Sequence, residues 1–126
     1  MAHLEFECAV QVQPLNDQLP QQDHGPVYAY SYTIVITNKG DTTAQLIARE
    51  WTITDARGEV QEVRGLAVVG HQPLLQPGES FRYSSWAQIA TPQGSMRGRY
   101  LCVSEGAEVF YADIPEFMLA DTSQLH

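Results

Sequence analysis

The chain has 126 residues, of which 44% are hydrophobic and 17% charged. This length and balance predict one globular domain whose core is large enough to fold without metal ions or disulfide bonds. Fifteen acidic residues against seven basic ones give a formal net charge of -8. An acidic surface repels phosphate backbones and anionic lipids, so nucleic acid and membranes are not expected as partners, whereas proteins or cations are.

The N-terminus and the cysteines predict the compartment. The first ten residues lack a basic start and a long apolar run, so we expect no signal peptide and a cytoplasmic location. The sequence contains no run of about 18 apolar residues, so no membrane span is predicted. Cys8 and Cys102 are the only cysteines, and in a reducing compartment we expect buried or half-buried free thiols. Neither has a Cys or His neighbour at metal-ligand spacing.

Alternating hydrophobicity predicts two strands in the first third of the chain. Residues 6–12 alternate apolar and polar side chains, as is typical of a half-buried strand, and Pro14 ends it. Residues 15–26 are polar and contain two prolines, which predicts a long mobile loop. A very regular strand follows, with its largest side chains on one face: Tyr28, Tyr30, Tyr32, Ile34 and Ile36.

The next strand, over residues 44–55, contains a change of parity. Leu46 shares its parity with Ala48, but Trp51 has the opposite one. A parity change inside one strand is what a β-bulge produces, so we place a bulge near Ala48 to Glu50. A bulge there can turn Arg49, which lies beside Trp51, inward.

The rest of the chain predicts further strands between tight turns. They are expected over residues 59–69, 80–89, 96–103 and 109–114, and the last one continues beyond Pro115 to Leu119. No window of ten or more residues has helical periodicity with caps. Seven to nine short strands predict an antiparallel immunoglobulin- or fibronectin type III-like β-sandwich. The whole chain, 1–126, is then one domain with a core over 5–119 and a frayed tail over 120–126.

Residues 64–81 carry the densest turn chemistry. Gly65 and Gly70 enclose Ala67 in a pattern close to the G-x-G-x-x-G of dinucleotide sites. That mechanism needs a helix after the loop, and Pro73 and Pro77 prevent one. We therefore interpret these glycines as bends of the backbone. The pattern Leu75-x-Pro77-Gly78-x-x-Phe81 resembles the stretch that crosses between the sheets of fibronectin-like sandwiches, and the resemblance implies a crossover here. A ligand site stays open as the alternative, with these candidates: Arg64, Gly65, Gly70, His71 and Arg49.

A set of motifs in fixed order covers most of the chain. It comprises Arg49 and Trp51 to Asp55, Gly65 with Val68 to Gly70 and Pro73, Pro77 to Glu79 with Phe81 and Tyr83, Thr91-Pro92, Gly94, Met96, Gly98 and Tyr100, and Ile114-Pro115, Phe117 and Leu119. Over residues 9–119 this set resembles the ApaG family, small bacterial proteins whose domain also occurs in larger eukaryotic proteins. The resemblance implies a fibronectin type III-like fold. It also implies an association with cobalt and magnesium efflux, a genetic neighbourhood with a diadenosine tetraphosphate hydrolase, and in eukaryotes a protein-interaction role. It supplies no agreed catalytic residues.

The sequence contains no recognisable catalytic or metal-binding motif. There is no G-x-S-x-G motif and no Cys-His pairing, so no catalytic residues are assigned and the chain is not expected to be an enzyme. The histidines are scattered, and Asp23-His24 and His71 are interpreted as solvated loop residues, so neither a metal nor a cofactor is expected.

We expect a protein-interaction or regulatory module with an unidentified protein partner. Tyr28 and Trp86 are the candidate partner surface, and a homodimer is a further expectation because sandwich edges are exposed. The alternative is that the chain binds a nucleotide polyphosphate, such as diadenosine tetraphosphate, or a divalent cation. Arg49 is interpreted as a paired structural arginine, with a site-lining role as its alternative.

Overall fold

Eight β-strands form the regular structure of the computed structural model, which describes residues 2–15 and 27–120. Within these ranges no helix has the length and apolarity that a bilayer span requires. Most of the predicted mobile loop, with His24, lies outside the described residues, as does the predicted frayed tail beyond residue 120. The strands are β1 (Phe6–Pro14), β2 (Tyr28–Asn38), β3 (Ala44–Asp55), β4 (Val60–Leu66), β5 (Leu74–Leu75), β6 (Ser80–Ile89), β7 (Gly94–Ser104) and β8 (Val109–Leu119).

The strands form two antiparallel sheets, so the predicted β-sandwich is confirmed. One sheet has the order β1-β2-β6, and the other has the order β4-β3-β7-β8 with β5 also paired to β3. The face of β2 that carries Tyr30, Tyr32, Ile34 and Ile36 points inward, and on β7 the buried side chains are Met96, Tyr100 and Cys102. The inner faces share an aromatic and aliphatic core whose largest fully buried members are Tyr30, Tyr100, Ile34, Ile36, Leu46, Met96 and Leu119.

Two β-bulges interrupt the strand pairing of the five-stranded sheet. Leu46 pairs with Cys102 and Ala48 pairs with Leu101, so Ile47 is the extra residue of β3. The predicted bulge is present, but its placement near Ala48 to Glu50 was wrong by at least one residue, because parity shows that a switch occurs and not which residue is inserted. On β8 a second bulge occurs at Pro115, which has no N–H to donate to the ladder.

The segment 64–81 is the predicted crossover. β5 belongs to the five-stranded sheet and β6, which follows after a short turn, belongs to the three-stranded one. The predicted strand over 59–69 was too long, because β4 ends at Leu66. Beyond it Ala67 and Val69 have φ values of 68° and 48°, a left-handed conformation that ends strand pairing.

The two cysteines are free, with Cys8 half-buried and Cys102 buried. Burial raises the pKa of each thiol to about 12. At about pH 8 the folded chain should hold on the order of 10⁻⁴ of each thiol as thiolate, so labelling by a disulfide reagent should be at least about 100-fold slower than in denaturant. Above about pH 9 the unfolded chain loses these protons first, so the free energy of unfolding should fall as pH rises. Rapid labelling of the native chain would contradict the burial of these thiols.

Candidate functional site

The five predicted ligand-binding candidates lie in three different environments. Arg64 is on the outer face of the five-stranded sheet, where its Nε lies 3.5 Å from Glu50 Oε1. Gly65 has the opposite parity, and a Cβ placed on it would be 3.0 Å from Arg49 Nη1. Gly70 and His71 lie in a tight turn after β4. The structure therefore brings Gly65 and Arg49 together and places Arg64 on the other side of the sheet.

In the loop from Ala67 to His71, several backbone amides donate hydrogen bonds to carbonyl groups of the chain itself. Ala67 N donates to Ile47 O at 2.8 Å, while Val68 and His71 exchange backbone hydrogen bonds of 2.8 and 2.9 Å. The Val68 side chain is completely buried, and the His71 ring packs against Phe81 with centroids 5.6 Å apart. These contacts fix the loop onto the core and leave three of its amides unavailable to a phosphate.

A groove of about 400 Å³ lies between β4 and β6, the strands that end the two sheets on one side of the sandwich. We refer to it as the inter-sheet groove. Its volume is in the lower part of the range of small-molecule pockets. Its walls are mainly aromatic, aliphatic and neutral polar, and they consist of Tyr32, Arg49, Trp51, Ile53, Gln61, Val63, Ser85, Trp86, Ala87, Gln88 and Met96.

Arg49 is the charged residue of this groove. Its Nη1 donates to Leu66 O at 3.0 Å and to Ala67 O at 2.9 Å, so the guanidinium holds the end of β4 in place. None of the ion pairs in the described part of the chain involves Arg49. The expected structural arginine is therefore paired with backbone carbonyls rather than with a carboxylate.

Tyr32 and Trp51 form the inner wall. Burial raises the pKa of Tyr32, and its neighbour Ser85 and the charge of Arg49 oppose that rise. Trp51 is 3% exposed, and its Nε1 has no hydrogen-bond acceptor within the described residues. Its ring meets Tyr32 edge-on with centroids 5.5 Å apart. The groove thus combines a cation with several side-chain hydrogen-bond donors.

A second surface is the outer face of the five-stranded sheet. A row of alternating charge crosses four strands there, because Arg64 pairs with Glu50, Glu50 with Arg99, and Arg99 with Asp113. Arg99 Nε donates to Glu50 Oε2 at 3.0 Å. The Arg99 guanidinium also stacks 3.9 Å above the centre of the Tyr111 ring. These contacts order the long side chains on this face.

Apolar side chains surround that charged row. In the described part of the chain eight large hydrophobic side chains are exposed, and six of them lie on this outer face. Isolated exposed hydrophobic residues are ordinary, but a concentration on one face is typical of a binding surface. The six are Val60, Leu66, Leu74, Val109, Tyr111 and Met118.

Comparison with known proteins places the fold in a family. The family model described as the ApaG domain matches residues 18–104. The chain belongs to the ApaG family. Among curated proteins, Protein ApaG of Ralstonia nicotianae is 54% identical over 127 residues and the match covers all of both chains. Protein ApaG of Acidovorax sp. is 52% identical over 122 residues, covering 94% of this chain and 87% of the relative.

Solved structures support the same assignment. The putative ApaA protein from Bordetella pertussis superimposes with a TM-score of 0.87 at 44% identity, covering 94% of this chain and 95% of that one. A second structure, a structural genomics target described as SoR45, gives a TM-score of 0.86 at 39% identity, covering 97% of this chain and 91% of that one. The resemblance inferred from the motifs is thereby confirmed.

The ApaG chain does not place the two predicted partner-surface residues side by side. Tyr28 has the inward parity of β2 and packs, half-buried, against the core. Trp86 pairs with Ser31, has the outward parity of β6 and is 60% exposed. Sequence reasoning identified Arg49 and Trp86 but missed Tyr32, Ser85 and Gln61. Their juxtaposition depends on which strands end each sheet, and no local sequence signal carries that information.

Proposed function

We propose that this ApaG chain is a non-enzymatic protein-interaction or regulatory module that docks a partner protein on the outer face of its five-stranded sheet. The observation that supports the proposal is the concentration of exposed apolar side chains around the row from Arg64 to Asp113. Tyrosine and arginine beside apolar groups are typical of interface centres.

The size of the face sets the expected strength of the complex. With strands about 4.8 Å apart and residues about 3.3 Å apart, four strands and some nine residues give an area on the order of 600 Å². That is somewhat less than the roughly 800 Å² per partner of a standard stable complex. We therefore expect a transient interaction, and the experiment has to capture it covalently.

Two further points belong to the proposal. The raised pKa of Cys8 and Cys102, about 12 for each, is the opposite of what an activated thiol nucleophile needs, which supports a non-enzymatic role. We also propose that the family's association with cobalt and magnesium efflux operates through the partner protein. No three His, Cys, Asp or Glu side chains meet as a metal site within residues 2–15 and 27–120.

The alternative is a nucleotide polyphosphate or a divalent cation bound at residues 64–73. Phosphate binding by a loop relies on free backbone amides, and Ala67, Val68 and His71 already donate theirs to carbonyls. We therefore rank this alternative below the docking module. Titration with diadenosine tetraphosphate or Mg²⁺, followed by amide chemical shifts, tests it directly.

Leu66→Ser and Arg99→Glu test the docking face. Both alter exposed side chains on it, and we expect each to reduce photo-cross-linking to the partner at least about 10-fold in lysate of the producing organism. Leu66→Ser should change thermal stability little, whereas Arg99→Glu should lower the free energy of unfolding by about 1 kcal/mol because the new carboxylate lies between Glu50 and Asp113. The matched control is Trp86→Ser, which removes an equally exposed side chain from the other sheet. A cross-link that survives both face variants, or that is lost only in Trp86→Ser, would contradict the assignment of this face.

The same experiment separates a foreign partner from a second copy. The charge order of the row, positive-negative-positive-negative from Arg64 to Asp113, is also complementary to itself about a two-fold axis that runs along the strands. Light scattering of the purified chain gives its mass in solution. A dimer mass that Arg99→Glu reduces to that of a monomer would assign the face to self-association instead.

A further inference from the structure

We propose that the inter-sheet groove is a separate ligand site that binds a small organic carboxylate with an aromatic or branched apolar body. The groove lies on the inner side of the five-stranded sheet, whereas the docking face lies on its outer side. The inference therefore does not depend on the proposed partner interaction.

The charge of the groove is the first argument. The chain carries a formal net charge of -8, yet Arg49 is the only charged residue among the eleven that line the groove. A cation without an opposing carboxylate in a partly enclosed groove attracts an anion. With one guanidinium and no lysine in the lining, a carboxylate with a single charge is the matching ligand rather than a doubly charged phosphate.

The hydrogen-bonding capacity of Arg49 is the second argument. A guanidinium has five N–H groups. The hydrogen bonds to Leu66 O and Ala67 O both come from Nη1, and Nε and Nη2 donate to nothing in the described part of the chain. The two backbone bonds pre-organise the side chain, since its position does not depend on a ligand. The remaining donors are what a carboxylate needs for a bidentate contact.

The other walls define the rest of the ligand. Tyr32 and Ser85 add hydroxyl groups to the lining that contains Arg49. Trp51 also lines the groove, and its Nε1 is itself buried and has no acceptor among the described residues. Such a buried donor is costly unless an acceptor reaches it. The Trp51 ring also provides aromatic surface, on which a ring or a branched alkyl group packs, and Trp86, whose side chain has the outward parity of β6, lies at the rim of the groove.

The groove contains its own optical reporter. The chain has two tryptophans, Trp51 and Trp86, and both line the groove. Ligand entry should therefore change the intrinsic fluorescence. The indole N–H resonance of Trp51 adds a second measurement, because a ligand that packs against the Trp51 ring changes its chemical shift.

The titration uses phenylacetate as the probe, phenylacetamide as its neutral analogue and phenyl phosphate as the phosphate form. We expect phenylacetate to bind with a Kd of about 1 mM or tighter, and phenylacetamide at least about 10-fold more weakly, because only the carboxylate pairs with Arg49. Phenyl phosphate should bind no more tightly than phenylacetate. Chemical shift changes should cluster at Arg49, Trp51 and Ser85.

Arg49→Gln should weaken the binding of phenylacetate at least about 10-fold, while Arg64→Gln on the outer face should leave it unchanged. Because Arg49 also supports β4, Gln61→Glu provides a second variant that adds a negative charge at an exposed position of the groove. Gln61→Glu also removes the hydrogen bond to Gln88 O, so Gln61→Met, which loses the same bond without adding a charge, is its control. Gln61→Glu should weaken binding about 5-fold, whereas Gln61→Met and Gln11→Glu on β1 should not. Equal binding of acid and amide, tighter binding of phenyl phosphate, shifts elsewhere, or binding that is unchanged in both Arg49→Gln and Gln61→Glu would overturn the proposal.

Discussion

Gly98→Ala is expected to lower the free energy of unfolding by at least about 3 kcal/mol. Gly98 lies on β7 opposite Trp51 of β3, in the middle of the five-stranded sheet. A Cβ on this residue would come within 2.3 Å of Glu50 O and within 2.7 Å of Trp51 Cε3. The first contact is with backbone, so the two central strands have to separate, and the Trp51 ring is buried and cannot move aside without disturbing the core.

Urea unfolding followed by tryptophan fluorescence measures this effect. The control is Gly106→Ala, because the nearest atom to its added Cβ is Ser104 Oγ at 3.7 Å, an ordinary contact. We expect that control to change the free energy of unfolding by less than about 0.5 kcal/mol. If the free energy of unfolding of Gly98→Ala differed from that of the original chain by less than about 1 kcal/mol, β3 and β7 would tolerate displacement, contrary to the packing described above.

The second large effect is expected at Asn38, which is 1% exposed at the end of β2. Its Nδ2 donates to Thr42 O at 3.0 Å and to Leu75 O at 2.9 Å, and its Oδ1 accepts from Gly40 N at 2.8 Å. The amide thus joins the turn after β2 to β5 in the opposite sheet. Asn38→Asp keeps the shape but replaces the donor with an oxygen that faces two carbonyls. This substitution should lower the free energy of unfolding by about 3–5 kcal/mol near neutral pH.

The pH dependence of Asn38→Asp separates charge from lost bonding. Burial next to carbonyl oxygens should raise the pKa of the new carboxyl in the folded chain above its unfolded value. The folded state then binds more protons than the unfolded state, so the destabilisation should grow as pH rises through the folded pKa and diminish in acid. Asn38→Ala loses the same hydrogen bonds without adding a charge, and the resulting decrease in the free energy of unfolding should be independent of pH between about 5 and 8. Parallel pH profiles for the two variants would contradict this account.

The parts of the fold that follow from local periodicity were predictable. Tyr30, Tyr32 and Ile34 alternate without interruption, so the inward face of β2 could be assigned from period two alone. The inserted residue of β3 could not, because Leu46 and Ala48 give no sign that Ile47 is the extra residue. The end of β4 was also hidden, since the left-handed conformations fall on Ala67 and Val69 rather than on glycine.

The two candidate surfaces differ in how much the sequence could say of them. The bulge predicted from the parity change could turn Arg49 inward, and the sequence left two roles open for it, a paired structural arginine or a residue that lines a site. The groove around it needs β4 and β6 to end their sheets on the same side, and this long-range arrangement has no local signature. On the outer face Leu66 and Tyr111 look like core residues in the sequence, and only the sheet order shows that nothing in the described chain covers them.

The two long sides of the sandwich are unlike each other. On one side β1 and β8 are in contact, and the rings of Phe6 and Phe110 meet edge to face with centroids 5.4 Å apart. On the other side β4 and β6 are separated by the groove, bridged at its rim by a long hydrogen bond of 3.4 Å from Gln61 Nε2 to Gln88 O. The sandwich is therefore closed by packed rings along one side and left open along the other, where the Gln61–Gln88 hydrogen bond spans the gap between the sheets.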